Sequence, residues 1–317
     1  MIKGEGMPVR VVDKLPAIDL LAEENIFVMS EERAKHQDIR ELRILIVNLM
    51  PTKVVTETQL VRALSNTPLQ LEITLLKTDT YKSTHVSEDH LGTFYKTFNE
   101  IKGEYFDGLI ITGAPVEQLD FEEVAYWNEL VTIMEWAEHH VYSTFHICWG
   151  AQAALYHYFG IQKEPLKEKL FGVYEHHLVR PKTMLLRGFD EVFLMPHSRH
   201  TTIAKEDLVS HPNIDILAES ERAGVAIAKT KDNKHVFVFG HAEYERGTLD
   251  KEYWRDKNQG LPIEVPENYY PQNNPEATPR VTWRSTATLL FTNWLNYYVY
   301  QETPYKIEQI ETLYVKK

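Results

Sequence analysis

Apolar positions along the chain fall into short continuous runs separated by stretches with helical spacing. The run LRILIVNLM at 42–50 is apolar almost throughout, the mark of a strand covered on both faces in a parallel sheet. LQLEITLL at 69–76, DGLIITG at 107–113, STFHIC at 143–148 and KHVFVFG at 234–240 have the same character. Helical spacing fills the intervals at 56–64 and 120–140. The second of these opens with Asp120 and Glu123 in capping-box spacing, then sets Val124, Trp127, Leu130, Val131 and Met134 along one face. WGAQAALYHYF at 149–159 and an aromatic-rich stretch at about 285–300 predict two more helices. This alternation predicts an α/β fold with a doubly wound, mostly parallel sheet. Beyond Phe171 the runs VFLMP, IDILAES and GVAIAK predict additional antiparallel strands. Five prolines between Gln259 and Pro279 predict an irregular segment, with Tyr269 and Tyr270 as its anchors.

A chain of 317 residues is long enough for a well-buried core. The pattern favours one compact α/β domain over 13–317 with an irregular C-terminal segment. Residues 1–12 are expected to be an N-terminal extension, its first six residues an appended segment ahead of a natural start at Met7. No run reaches the roughly 18 apolar residues of a membrane span, and MIKGEGMPVRVV lacks a signal core. The single cysteine excludes an intrachain disulfide and suits a reducing compartment, so a cytoplasmic location is expected. Lysine and arginine total 34 against 46 acidic residues, a formal charge of −12. That surface disfavours nucleic acid and anionic membranes while leaving room for a local positive pocket.

Charge does not identify a chemistry, but two strand ends do. Cys148 closes STFHI and precedes the helix at 149–159, and reactive groups of open α/β sheets collect at the carboxyl ends of strands. A helix N-terminus stabilises a thiolate, and Gly150 relieves crowding in a strand–nucleophile–helix turn. A lone cysteine is otherwise most often a small buried hydrophobe. His241 and Glu243 follow the strand KHVFVFG directly, so that the glutamate can accept a hydrogen bond from the imidazole. A nucleophile, a base and a carboxylate that orients the base constitute the logic of acyl transfer. The other histidines, 139–140, 176–177, 197 and 200, lack metal-ligand spacing, and no metal or cofactor is expected. His146, two residues before Cys148, is expected to pack in the sheet.

Several longer stretches carry a resemblance. ENIFVM, NLMPTKVVTETQ, DGLIITGAPVE, HICWGAQAALYHYFG, LKEKLFGV, PHSRH and GHAEYERGTL are collinear with, and similar to, the MetA-type homoserine O-acyltransferases of bacterial methionine biosynthesis. The family's fold resembles class I glutamine amidotransferase domains. The resemblance implies a ping-pong reaction in which Cys148 takes the acyl group from an acyl-CoA, His241 deprotonates L-homoserine, and Glu243 orients His241. By the family pattern Lys169, Ser198 and Arg255 bind substrate, Arg255 being suited to a carboxylate. KEPLKEK by itself reads as an ordinary solvated face. The backbone N–H of Trp149 and the side chain of Lys53 are the expected oxyanion and acyl-site donors. The resemblance also implies an acyl-pocket position at which a glycine goes with succinyl transfer and a glutamate with acetyl transfer. Glu117 stands at that position, where its bulk and charge oppose a second carboxylate. The expected reaction is therefore acetyl transfer from acetyl-CoA. Succinyl transfer is the near alternative, and a cysteine hydrolase or glutaminase shares the same triad. A catalytically silent binding protein would be expected to lack the nucleophile or base. The aromatic C-terminal helix is consistent with the homodimer of such families.

Overall fold

A computed structural model describes residues 9–11, 15–23, 28–30, 40–80, 88–304 and 307–310. Residues 1–8 and 12 of the expected N-terminal extension lie outside them. The chain divides into two compact units. The first comprises Met1–Pro115, Phe121–Phe145 and Phe291–Lys317, the second Val116–Asp120 and His146–Leu290.

The first unit holds strands β1 (Val9–Val11), β2 (Val28–Ser30), β3 (Leu42–Val47), β4 (Leu71–Leu76), β5 (Tyr95–Lys96), β6 (Phe106–Ile111) and most of β7 (Val141–Ile147). Its helices are α1 (Ala17–Glu23), α2 (Lys53–Leu64), α3 (Glu88–Phe94), α4 (Phe98–Ile101) and α5 (Trp127–His140). The strand order is β2-β1-β4-β3-β6-β7, with β5 beside β4, and the pairs from β1·β2 to β3·β6 are parallel. The apolar runs at 42–50, 69–76 and 107–113 supply the three central strands, and β6 is buried at every position. A glycine is needed in that strand, because a Cβ on Gly108 would lie 2.8 Å from the Trp294 ring. Trp294 is fixed in turn by a 3.1 Å bond from Nε1 to Ser143 Oγ.

Two helical expectations in this unit are corrected. The stretch 120–140 is not one capped helix. Phe121–Glu123 forms a 3₁₀ turn, α5 begins at Trp127, and no side chain caps it. Burial of Phe121, Val124 and Tyr126 turns the chain inward ahead of the helix, so the capping-box spacing has no helix end to serve. The last helix (Arg284–Trp294) passes into a π-helical turn over Leu295–Tyr300 rather than continuing as α-helix.

The second unit carries β8 (Lys163–Leu178), β9 (Val192–Ile203), β10 (Ile214–Ser220), β11 (Gly224–Thr230) and β12 (His235–Val238), with helices α6 (Trp149–Phe159), α7 (Lys205–Ser210) and α8 (Thr248–Asn258). Its strands run in the order β12-β11-β10-β8-β9 and pair antiparallel throughout. This is the antiparallel extension anticipated beyond Phe171, although β8 is longer than its polar first half suggests. The register of β8 and β9 breaks between Pro165 and Leu170, where proline cannot donate to the ladder. Phe171, Val173, Leu249, Tyr253, Tyr269, Tyr270 and Trp283 form one core cluster, which fastens α8 against β8. Tyr270 Oη also bonds Asp250 Oδ1 at 2.6 Å, tying the proline-rich segment to α8.

Candidate active site

Cys148 sits between the end of β7 and the first residue of α6, with φ 50° and ψ −114°. Such a backbone is costly for a residue with a Cβ, about 1–3 kcal/mol, and persists because both sides are held. Upstream, the Cys148 amide donates to Val238 O of β12 at 2.7 Å. Downstream, its carbonyl accepts from Ala151 and Gln152 at 3.0 and 3.2 Å, opening the helix. Trp149 is the first helical residue, a position whose amide lies outside the helix's own i→i−4 ladder. His146, one pleat earlier, is fully buried, and burial among neighbours that include His235 keeps its imidazole neutral.

Beyond β12 the chain turns back along β9. The His241 amide donates to Pro196 O at 2.8 Å. This close passage requires Gly240, since a Cβ there would lie 2.6 Å from Met195 Sδ and 2.9 Å from His197 Nε2. His241 Nδ1 meets Glu243 Oε1 at 2.7 Å, which leaves Nε2 for the hydrogen bond with Cys148. Burial opposes a charged imidazole. The negative charges of Cys148 and Glu243, and the hydrogen bonds to both, outweigh it and hold His241 up at about 10. Tyr244 stacks on the imidazole, ring centroids 4.1 Å apart and planes 12° off parallel. Burial first, then Glu252, Glu243, Cys148 and Glu117, push its phenol well above its ordinary value, so it stays protonated.

Lys169, Ser198 and Arg255 converge on a residue that sequence reasoning missed, Glu252 of α8. Lys169 Nζ lies 2.6 Å from Glu252 Oε1, and Ser198 Oγ is 2.9 and 3.0 Å from its two oxygens. Arg255, one turn on, bonds Asp256 Oδ1 through Nε at 2.6 Å and reaches to 3.9 Å of Glu252 with Nη2. Its side chain is 59% exposed. Lys169 also lies 4.4 Å above the Phe171 ring. The KEPLKEK stretch is therefore not a plain solvated face: a strand directs alternate residues to one side, and here Lys169 meets a carboxylate. The i, i+3 spacing of Glu252 and Arg255 was the available signal.

Glu117 is half-buried. Its Oε2 lies 3.2 Å from the Thr201 amide and 3.1 Å from Thr201 Oγ1. Nearby is Arg199, also missed, buried in the strand that carries Ser198 and Thr201. Burial lowers the guanidinium pKa, while Cys148 and Glu117 act in the opposite direction.

In the first unit, Lys53 opens α2 and is buried, its ammonium bonding the Asn48 carbonyl. Burial lowers it to about 8, against the raising effect of Glu57. Glu57 is itself buried, with Tyr95 Oη at 2.5 Å and His90 Nε2 at 3.1 Å. Among the described residues no cluster of three or more His, Cys, Asp or Glu could hold a metal ion, and no helix is long and apolar enough to cross a membrane.

The family model described as homoserine O-succinyltransferase (HTS) matches residues 8–305. A protein of Acetivibrio thermocellus named homoserine O-acetyltransferase is 59% identical over 305 residues, covering 96% of this chain and all of the relative. One of the same name from Lachnoclostridium phytofermentans is 58% identical, covering 95% of this chain and all of the relative. Among solved structures, a glutamine amidotransferase from Thermotoga maritima superposes with TM-score 0.51 at 12% identity, covering 81% of this chain and 98% of that one. This last likeness is one of fold, the class I amidotransferase-like α/β architecture that the family resemblance implies.

Proposed function

The chain belongs to the homoserine O-succinyltransferase family, and within it we propose that this member is a homoserine O-acetyltransferase that works through an acetyl-cysteine. The observation that carries the mechanism is Cys148 held at a strained turn, hydrogen-bonded to an imidazole that Glu243 backs. The choice of acetyl follows the names of the relatives at 58–59% identity and the glutamate at position 117.

The reaction uses Cys148 as a thiolate, with His241 carrying the proton. The Cys148 sulfur attacks the thioester carbonyl of acetyl-CoA, and the Trp149 amide N–H supports the developing oxyanion. Collapse expels CoA as a thiolate, which takes the proton from His241 and leaves acetyl-Cys148 beside a neutral imidazole. Acetylation removes the sulfur's negative charge, one of the groups that holds the proton on His241. The imidazole is thereby converted from an acid to a base when the alcohol arrives. It takes the proton of the homoserine γ-hydroxyl as that oxygen attacks the acyl carbon, and Cys148 leaves as a thiolate. The group around Glu252 supplies the acceptor site. Its carboxylate suits the ammonium of homoserine and the exposed side chain of Arg255 suits the carboxylate, with Lys169 and Ser198 setting the position of Glu252. For Lys53 the assignment as a second acyl-site donor rests on its position in the chain and its buried charge alone. The same reading places the enzyme in the cytoplasm, in methionine biosynthesis, as a homodimer.

Mass spectrometry after exposure to acetyl-CoA alone tests the proposal. A 42-Da adduct on Cys148 that disappears on adding L-homoserine, with O-acetylhomoserine formed, is expected; the adduct mass is about that of an acetyl for a hydrogen in covalent catalysis. No adduct, with Cys148→Ala still active, would overturn the covalent route. Steady CoA release without homoserine would indicate a hydrolase.

A further inference from the structure

Two donors of Thr201, the backbone amide and the hydroxyl, converge on one oxygen of Glu117, at 3.2 and 3.1 Å. Thr201 is buried, and so are the groups behind it. Arg199 is 1% exposed and bonds Thr201 O through Nη1 at 2.6 Å and Ala223 O through Nη2 at 2.5 Å. Its third contact is Nε to His197 Nδ1 at 3.5 Å. Each of these three partners is a neutral acceptor. The negative charges acting on this buried cation include Cys148 and Glu117.

Gln152, fully buried on α6, completes the arrangement. Its Oε1 lies 2.8 Å from Thr201 Oγ1, while its Nε2 has no hydrogen-bond partner among the described residues. A hydroxyl has one hydrogen and so serves Glu117 or Gln152, not both. With the Gln152 amide turned so that Nε2 faces Oγ1, Gln152 becomes the donor and the Thr201 hydrogen goes to the Glu117 carboxylate. A main-chain N–H, a hydroxyl oriented by a buried amide, and a buried guanidinium behind them form what a carboxylate-binding site requires.

We infer that Thr201, oriented by Gln152 and backed by Arg199, is a carboxylate-recognition site that Glu117 occupies from within the chain. Resting on Glu117 as a wall of the acyl pocket, this inference adds that exclusion of a dicarboxylic acyl thioester is more than loss of space. The donors that would bind the distal carboxylate are already engaged by a carboxylate of the protein. When Glu117 is removed, the same donors accept the distal carboxylate of the acyl chain.

The test uses the full chain and compares Glu117→Gly with Glu117→Gly/Thr201→Val, in which the added change deletes only the hydroxyl. The readout is the ratio of kcat/KM for succinyl-CoA to that for acetyl-CoA. The ratio rises in Glu117→Gly, and falls by about tenfold or more on adding Thr201→Val, as for loss of a hydrogen bond to a charged group. Thr201→Ser in its place holds the ratio. A second readout is independent of acyl transfer: calorimetric binding of free succinate, expected in Glu117→Gly and weakened to a similar degree by Thr201→Val. Equal ratios and equal succinate affinities with and without the Thr201 hydroxyl would overturn the inference. A wild-type enzyme that fails to acetylate homoserine would instead strike the proposed function, while the succinate titration still decides this point.

Discussion

Lys169 on β8 and Glu252 on α8, 83 positions apart in the chain, meet at 2.6 Å. Both side chains are largely buried, 16% and 19% exposed, and Ser198 adds two contacts from β9. Replacing Glu252 by Gln keeps the shape and removes the charge that this site offers an ammonium. The KM for homoserine is expected to rise by about tenfold or more, with formation of acetyl-Cys148 changed by less than about twofold. Burst kinetics of CoA release set against steady-state turnover separate the two steps. An equal loss in both would show that Glu252 supports the fold rather than the acceptor.

His241 owes its elevated pKa in part to Cys148, so the Cys148→Ala variant should lower it. Titration of the imidazole by NMR checks this directly, and a value that stays at about 10 would refute the coupling. The sign for stability follows. The folded pKa lies above the unfolded value of roughly 6.5, so the contribution is complete below that value and is lost as pH rises through 10. Urea melts of wild type and Cys148→Ala are expected to converge progressively between pH 7 and pH 10.

The backbone at Cys148 makes a further prediction, because a positive φ is cheap only for glycine. Cys148→Gly and Cys148→Ala both remove the nucleophile and are both expected to be inactive. The glycine variant should be the more stable of the two, by about 1 kcal/mol after its greater unfolded-state entropy is counted. Chemical denaturation at a fixed pH measures the difference, and an alanine variant at least as stable would remove strain from the account of this turn.

Much of the fold was legible because central strands of a parallel sheet are apolar on both faces, and β3, β4 and β6 read as such. Cys148, His241 and Glu243 were legible because each follows such a strand. Lys169 was not, since half of β8 is polar and its partner lies on a helix with little apolar content. The capping-box spacing at 120–123 misled because it is local, whereas the buried positions of Phe121, Val124 and Tyr126 depend on distant contacts. Arg199 carried no short-range signal, and Glu252 only its i, i+3 spacing to Arg255. A buried charge is recognisable only once the groups that surround it are known.

Four residues of β9, within the span 196–201, act on the second unit's candidate site. The carbonyl of Pro196 holds the His241 backbone, Ser198 reaches Glu252, Arg199 lies within electrostatic range of Cys148, and Thr201 holds Glu117. On the proposed function, the strand acts as a common ruler against which the nucleophile, base, acceptor pocket and acyl pocket are all set. An insertion or deletion within it would displace all four marks together, and a one-residue slip would reverse the facing of each. Changes of acyl group in this architecture are therefore expected in side chains on or against the ruler, such as Thr201 and Glu117, while its length is held constant.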